Sequence, residues 1–100
     1  MPWKIIRVAH NGTKGKRWET KTDEETKARI GRLIDVIRFG KDIPMVAKYL
    51  TDANGNGYSP EDQMLHLLKT SPVTNFRLAG ATAIIETENS IYFLTKENSQ

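Results

Sequence analysis

TDEETKARIGRLIDVIRFG, residues 22–40, is the most clearly patterned stretch of the chain, and the fold turns on what it forms. Thr22 is placed as an N-cap, Glu25 three positions on completes a capping box, and Asp23, Glu24 and Glu25 suit the positive end of a helix dipole. Ile30, Leu33, Ile34 and Ile37 then recur at i, i+3, i+4 and i+7, and Gly40 stands where a left-handed residue would end the element. The spacing predicts an amphipathic helix.

Upstream, WKIIRVAH, NGTKG and KRWETKT read as a β-hairpin, with β-branched and aromatic runs around a turn of glycine and asparagine. Downstream, a short helix is expected from Pro44 through Leu50, burying Val46, Tyr49 and Leu50. A third is expected after Ser59 as cap and Pro60 as first helical residue, with Met64, Leu67 and Leu68 inward and Ser71-Pro72 ending it. ATAIIETENSIYFLTK holds two β-rich runs around Glu88-Asn89-Ser90, a second hairpin. The predicted order is two strands, three helices and two strands: an α+β domain with helices on one face of an antiparallel sheet. Its expected core is Trp18, Ile30, Leu33, Ile34, Ile37, Leu67 and Leu68.

One hundred residues without a Pro/Gly/Ser-rich linker suit one domain. The absence of cysteine excludes disulfides and thiolate chemistry and fits a reducing compartment, with the cytoplasm as default. No segment has the roughly 20 apolar residues of a membrane-spanning helix. The net charge of +3 is uneven: residues 1–22 carry six bases against Glu19, and the remainder nine bases against eleven acids.

That basic pole is the leading functional signal. Strict alternation groups Trp3, Ile5 and Trp18 on one face of the hairpin and Lys4, His10, Arg17 and Lys21 on the other, interrupted by Ile6, Val8 and Glu19. Lys14 and Lys16 sit at the tip. Lys4, Arg7, His10, Lys14, Lys16, Arg17 and Lys21 are the candidate nucleic-acid-binding residues, because lysine and arginine release counterions from phosphates whatever the sequence. The alternative is a regulator or inhibitor that binds another protein through a strand edge or an apolar surface. A winged-helix arrangement is disfavoured: Glu61 and Asp62 would meet phosphates at the start of its recognition helix.

Two further chemistries have partial signals in the chain. Asp52, Asn54, Asn56 and Gly57 match the first, third, fifth and sixth places of a calcium loop, and TDANGNG resembles the loops of EF-hands and dockerins. The twelfth place, which supplies a bidentate Glu in an EF-hand, is Gln63 here, so the stretch reads as a turn and no metal is expected. Only His10 and His66 titrate near neutrality, and neither has a nucleophile or carboxylate at a diagnostic spacing. A binding protein without cofactor is expected, not an enzyme.

Overall fold

Gly31 decides the course of residues 22–40. In the computed structural model, which describes residues 2–97, Asp23 rather than Thr22 is the cap, accepting from Thr26 N at 3.0 Å, and the helix α1 it starts is one turn, Glu24–Lys27. Gly31 then takes φ +86° and donates its N–H to Ile5 O at 2.7 Å, so the chain has left the helix before Leu33, and Gly40 is not the left-handed residue that would have ended it. Leu33–Arg38 is instead strand β2, following Trp3–His10, β1. Glycine disfavours a helix interior by about 1 kcal/mol, and the β-branched Ile34, Val36 and Ile37 favour a pleated strand. The helical set is split accordingly: Ile34 is fully buried, whereas Ile37 is 53% exposed.

The second and third expected helices give way as well. Pro44–Tyr49 is strand β3, with Met45, Ala47 and Tyr49 inward and Val46 half-exposed, a period of two that the helical reading overlooked. Ser59 does cap a helix through Asp62 N at 3.2 Å, and Pro60 does open it, but α2 is only Pro60–Gln63. Leu67–Ala79 is the long strand β4, which runs through Ser71-Pro72 rather than stopping there. Thr82–Thr87, β5, and Ser90–Lys96, β6, form the C-terminal hairpin expected from their patterning, pinned by the buried Thr87 hydroxyl, which donates to Ser90 O and accepts from Ser90 N.

The six strands pair antiparallel in chain order, and β6 returns to β1 to close a barrel. The fold is therefore mostly β; the α+β arrangement with three helices is not what the chain adopts. Closure explains why the expected core is largely wrong. The inside holds Ile5, Val8, Ile34, Met45, Tyr49, Leu68, Val73, Ile85, Tyr92 and Leu94, while Trp18, Ile30, Leu33 and Leu67 stay half-exposed or exposed.

The N-terminal hairpin is also corrected. KRWETKT forms no strand; it returns along β1 through one bridge, Ala9 to Thr20, with Trp18 N donating to His10 O at 2.9 Å and His10 N to Glu19 O at 2.8 Å. Within β1 a bulge opposes Ile6 and Arg7 to Phe93 alone. Parity reverses across it, so Ile5 and Val8 both point inward and Val8 does not share an outer face with the basic residues. Among the described residues no helix is long and apolar enough to cross a membrane.

Candidate functional site

Pro72 divides β4. Lys69, Leu68 and Leu67 pair with β3, whereas Asn75 through Ala79 pair with β5. Beside Val73 the β2–β3 connection supplies two bonds, Asp42 N to Val73 O at 2.7 Å and Val73 N to Ile43 O at 2.9 Å. Because β3 begins at Pro44, opposite Pro72, no described strand pairs with residues 74–79 on the edge turned away from β5. The two-residue turn Gly80-Ala81, opened by Gly80 at φ +60°, makes Ala79 and Thr82 the bonded pair that closes the hairpin. Counting back, Arg77 and Asn75 bond to β5, and Phe76 and Leu78 turn their N–H and C=O groups to the free edge.

The side chains at this edge are only partly covered. Phe76 and Leu78 lie opposite Ile85 and Ala83 and so face the inside of the sheet, yet they are 42% and 64% exposed because the facing wall has stopped. Between the hairpin tip and the end of β2 is an open apolar cavity of ≈ 190 Å³. Leu78, Ala83 and Ile85 line one side and Val36, Phe39 and Met45 the other; Trp3 and Leu94 complete it. Phe39 packs edge-to-face on Phe76, centroids 4.8 Å apart, and the Lys96 ammonium lies 5.8 Å from the Trp3 ring centre. Arg38, Lys41 and Arg77 belong to the strand ends and loop around this mouth, and none has an ion-pair partner among the described residues. The lining carries no acid, base or nucleophile, so the cavity can hold an apolar group but has no side chain to transform it. Helical reading hid the site. The sequence signal was Phe76 and Leu78 alternating before Gly80, then Ala83 and Ile85 after it.

The opposite end of the barrel is capped by Arg29, just after α1, by Arg32, and by Tyr58 from the β3–α2 loop, which packs against the core. Arg32 stacks 3.7 Å from the centre of the Tyr49 ring and donates to Thr51 O and the Tyr58 hydroxyl; Tyr58 in turn stacks on His66 at 4.3 Å. Arg29 donates to the Tyr92 hydroxyl at 3.2 Å. Burial pushes the Tyr49 and Tyr92 phenols up, so both stay neutral.

Of the seven residues expected to bind nucleic acid, four have partners within the chain. Arg7 donates to the Thr20 hydroxyl at 2.7 Å and to Trp18 O, and stacks 4.7 Å from the Phe93 ring centre. Arg17 pairs with Glu86, Lys21 donates to Ser90 Oγ at 2.7 Å, and Lys4 lies 3.8 Å from Glu97. Arg7, Arg17 and Lys21 thus tie residues 11–21 to the outside of the barrel. Lys14 and Lys16 stand exposed at the tip of that loop, and His10 is half-buried at its base. The loop also holds Trp18 at φ +74°, where bulky residues rarely sit, with its ring 6.0 Å from Phe93.

The calcium-like loop is closed on itself. Asp52 Oδ1 accepts from Asn54 N at 2.8 Å and Asn56 N at 2.9 Å, and these amides hold its carboxyl below the ordinary range. A strand precedes it rather than a helix, and no cluster of three or more His, Asp or Glu suited to a metal occurs among the described residues. Comparison of the chain with protein families, with curated proteins and with solved structures gave no match.

Proposed function

We propose that this chain is a non-enzymatic protein-binding module whose site is the open mouth of the barrel. The observation that carries the reading is the coincidence of an apolar cavity with the unpaired edge of β4: the cavity can receive one or two aliphatic side chains, and the Phe76 and Leu78 backbone can bond the segment that presents them. Strand addition of this kind draws affinity from main-chain bonds and selectivity from side-chain pockets. Large apolar side chains left exposed around a concave site mark interaction surfaces more often than isolated ones do.

The test is selection of displayed random peptides on the parent protein, followed by binding to two variants. Leu78→Pro removes a free-edge N–H without touching the groups that bond to β5, and Leu78→Lys spoils the apolar rim. Peptides that bind the parent and lose at least about tenfold, 1.4 kcal/mol, on both folded variants support the mouth. Selection without enrichment, or equal binding to both variants, sinks the reading.

Nucleic-acid binding is the second reading, favoured by one observation: Lys14 and Lys16 stand exposed on the same loop as the half-exposed ring of Trp18, cations and an aromatic of the kinds that bind single strands. Arg7, Arg17 and Lys21 would then set the loop's shape rather than meet phosphates. Changing Lys14 and Lys16 to Gln should lower the slope of log affinity against log salt by about two units for duplex or about one and a half for single strands. An unchanged slope removes this reading.

A further inference from the structure

We infer that the mouth of one molecule receives the opposite end of a second copy of the same chain, so that the protein assembles head to tail. The inference rests on the mouth being a protein-binding site and fills its cavity rather than its β4 edge, because the donor follows directly on the helical turn of α2 and is not an extended strand.

The occupant must offer an exposed apolar side chain to a 190 Å³ cavity and negative charge to a basic rim. The chain itself carries such a segment. Directly after α2, Met64 and Leu65 are 60% and 77% exposed, the two most solvent-exposed large aliphatic side chains of the capped end. They follow Glu61 and Asp62, both exposed and without an ion-pair partner among the described residues. Asp52 stands on the adjoining loop, where Asn54 and Asn56 amides occupy its carboxylate without neutralising it. Of the bases of this end, Lys27 pairs with Glu24 and Arg29 with Glu25, while Arg32, held by Tyr58 and Tyr49, and the exposed Lys69 have no ion-pair partner among the described residues; together they are fewer than Asp23, Glu24, Glu25, Asp52, Glu61 and Asp62. At the mouth the balance is the reverse, with Arg38, Lys41, Arg77 and Lys96 against Asp42 and a Glu97 that lies beside Lys4.

Size and position agree with charge. A dry cavity of about 150 Å³ holds a benzene ring, so the mouth accommodates a leucine or methionine side chain. Residues 61–65 precede the start of β4 and the mouth lies at its far end, so donor and receptor are at opposite poles of the barrel. Contact between unlike poles is heterologous, and successive copies add in a line or close into a ring. Opposite charge brings the poles together and the apolar anchor holds them.

Sedimentation of the parent and two single variants tests this. Leu78→Lys spoils the mouth and leaves the donor; Leu65→Lys spoils the donor and leaves the mouth. Both side chains are mostly exposed, so both variants should melt within a few degrees of the parent, checked by circular dichroism. The parent should grow in mass with concentration, past twice the 11.4 kDa chain, and less so at about 500 mM salt than at about 50 mM. Each variant alone should remain monomeric. Mixed, they should form one species of two chains, because the mixture retains one intact mouth and one intact donor that can meet. A parent that is monomeric throughout overturns the inference, and if displayed peptides still bind its mouth the functional reading stands without it. A parent dimer that Leu65→Lys leaves intact, or variants that fail to rescue one another, would indicate edge-to-edge pairing of two β4 strands and would also overturn it.

Discussion

Gly12 sits at φ +75° with its backbone against the β5–β6 turn, where a Cβ would come within 2.5 Å of Glu88 O. Gly55 has a similar φ of +87° and open space around it. Gly55→Ala should therefore cost about 1 kcal/mol for the left-handed backbone alone. Gly12→Ala should cost more, because a backbone carbonyl must also move; urea midpoints of the two variants measure the difference. Asp52 offers a second test at this scale. Its carboxyl is held below the ordinary value chiefly by the Asn56 and Asn54 amides, so its stabilising effect is complete above the pKa of the unfolded chain and disappears as pH falls through the lower folded value. Asp23 behaves alike through Thr26 N. Below about pH 4 the parent should lose stability faster than Asp52→Asn, read from melting temperatures across the acid limb.

At the scale of elements, residues 30–37 distinguish helix from strand by single truncations. A helix would bury Ile30, Leu33, Ile34 and Ile37 together, whereas β2 buries Ile34 and leaves Ile37 outside. Ile34→Ala should cost about 2–5 kcal/mol by emptying a packed site. Ile37→Ala should stay within about 0.5 kcal/mol in chemical denaturation, as exposed substitutions do. Hydrogen exchange makes the matching test on β4. Asn75 and Arg77 amides bond to β5 and should exchange slowly; Phe76 and Leu78 amides face the free edge and should exchange fast, an alternation that a pairing partner would abolish.

At the scale of the whole molecule, closure of β6 onto β1 leaves a barrel with a capped acidic end, an open apolar mouth and a basic loop tied to its side. Features that depend on a few adjacent residues were legible in the chain: Ser59 and Pro60 opening α2, the turns at Gly12 and Gly55, and the β5–β6 hairpin. Their energies come from neighbours a few positions apart. The course of residues 22–40 was not legible, because Ile30, Leu33, Ile34 and Ile37 satisfy a helical period while Ile34 and Val36 satisfy a strand, and the choice is made by bonds to distant segments, Gly31 N to Ile5 O, Ile5 N to Arg32 O and the pairing of β2 with β3. The basic residues were visible, but not their occupation: Arg17 and Lys21 find Glu86 and Ser90 at a separation of 69 residues. The mouth was least visible of all, since it exists where β3 begins too late to cover β4. By itself the sequence determined the Ser59 cap, the turns at Gly12 and Gly55, one hairpin and the distribution of charge, which are local. Strand pairing, the bulge that reverses β1 and the unpaired edge depend on contacts between distant segments, and only the closed barrel decided them.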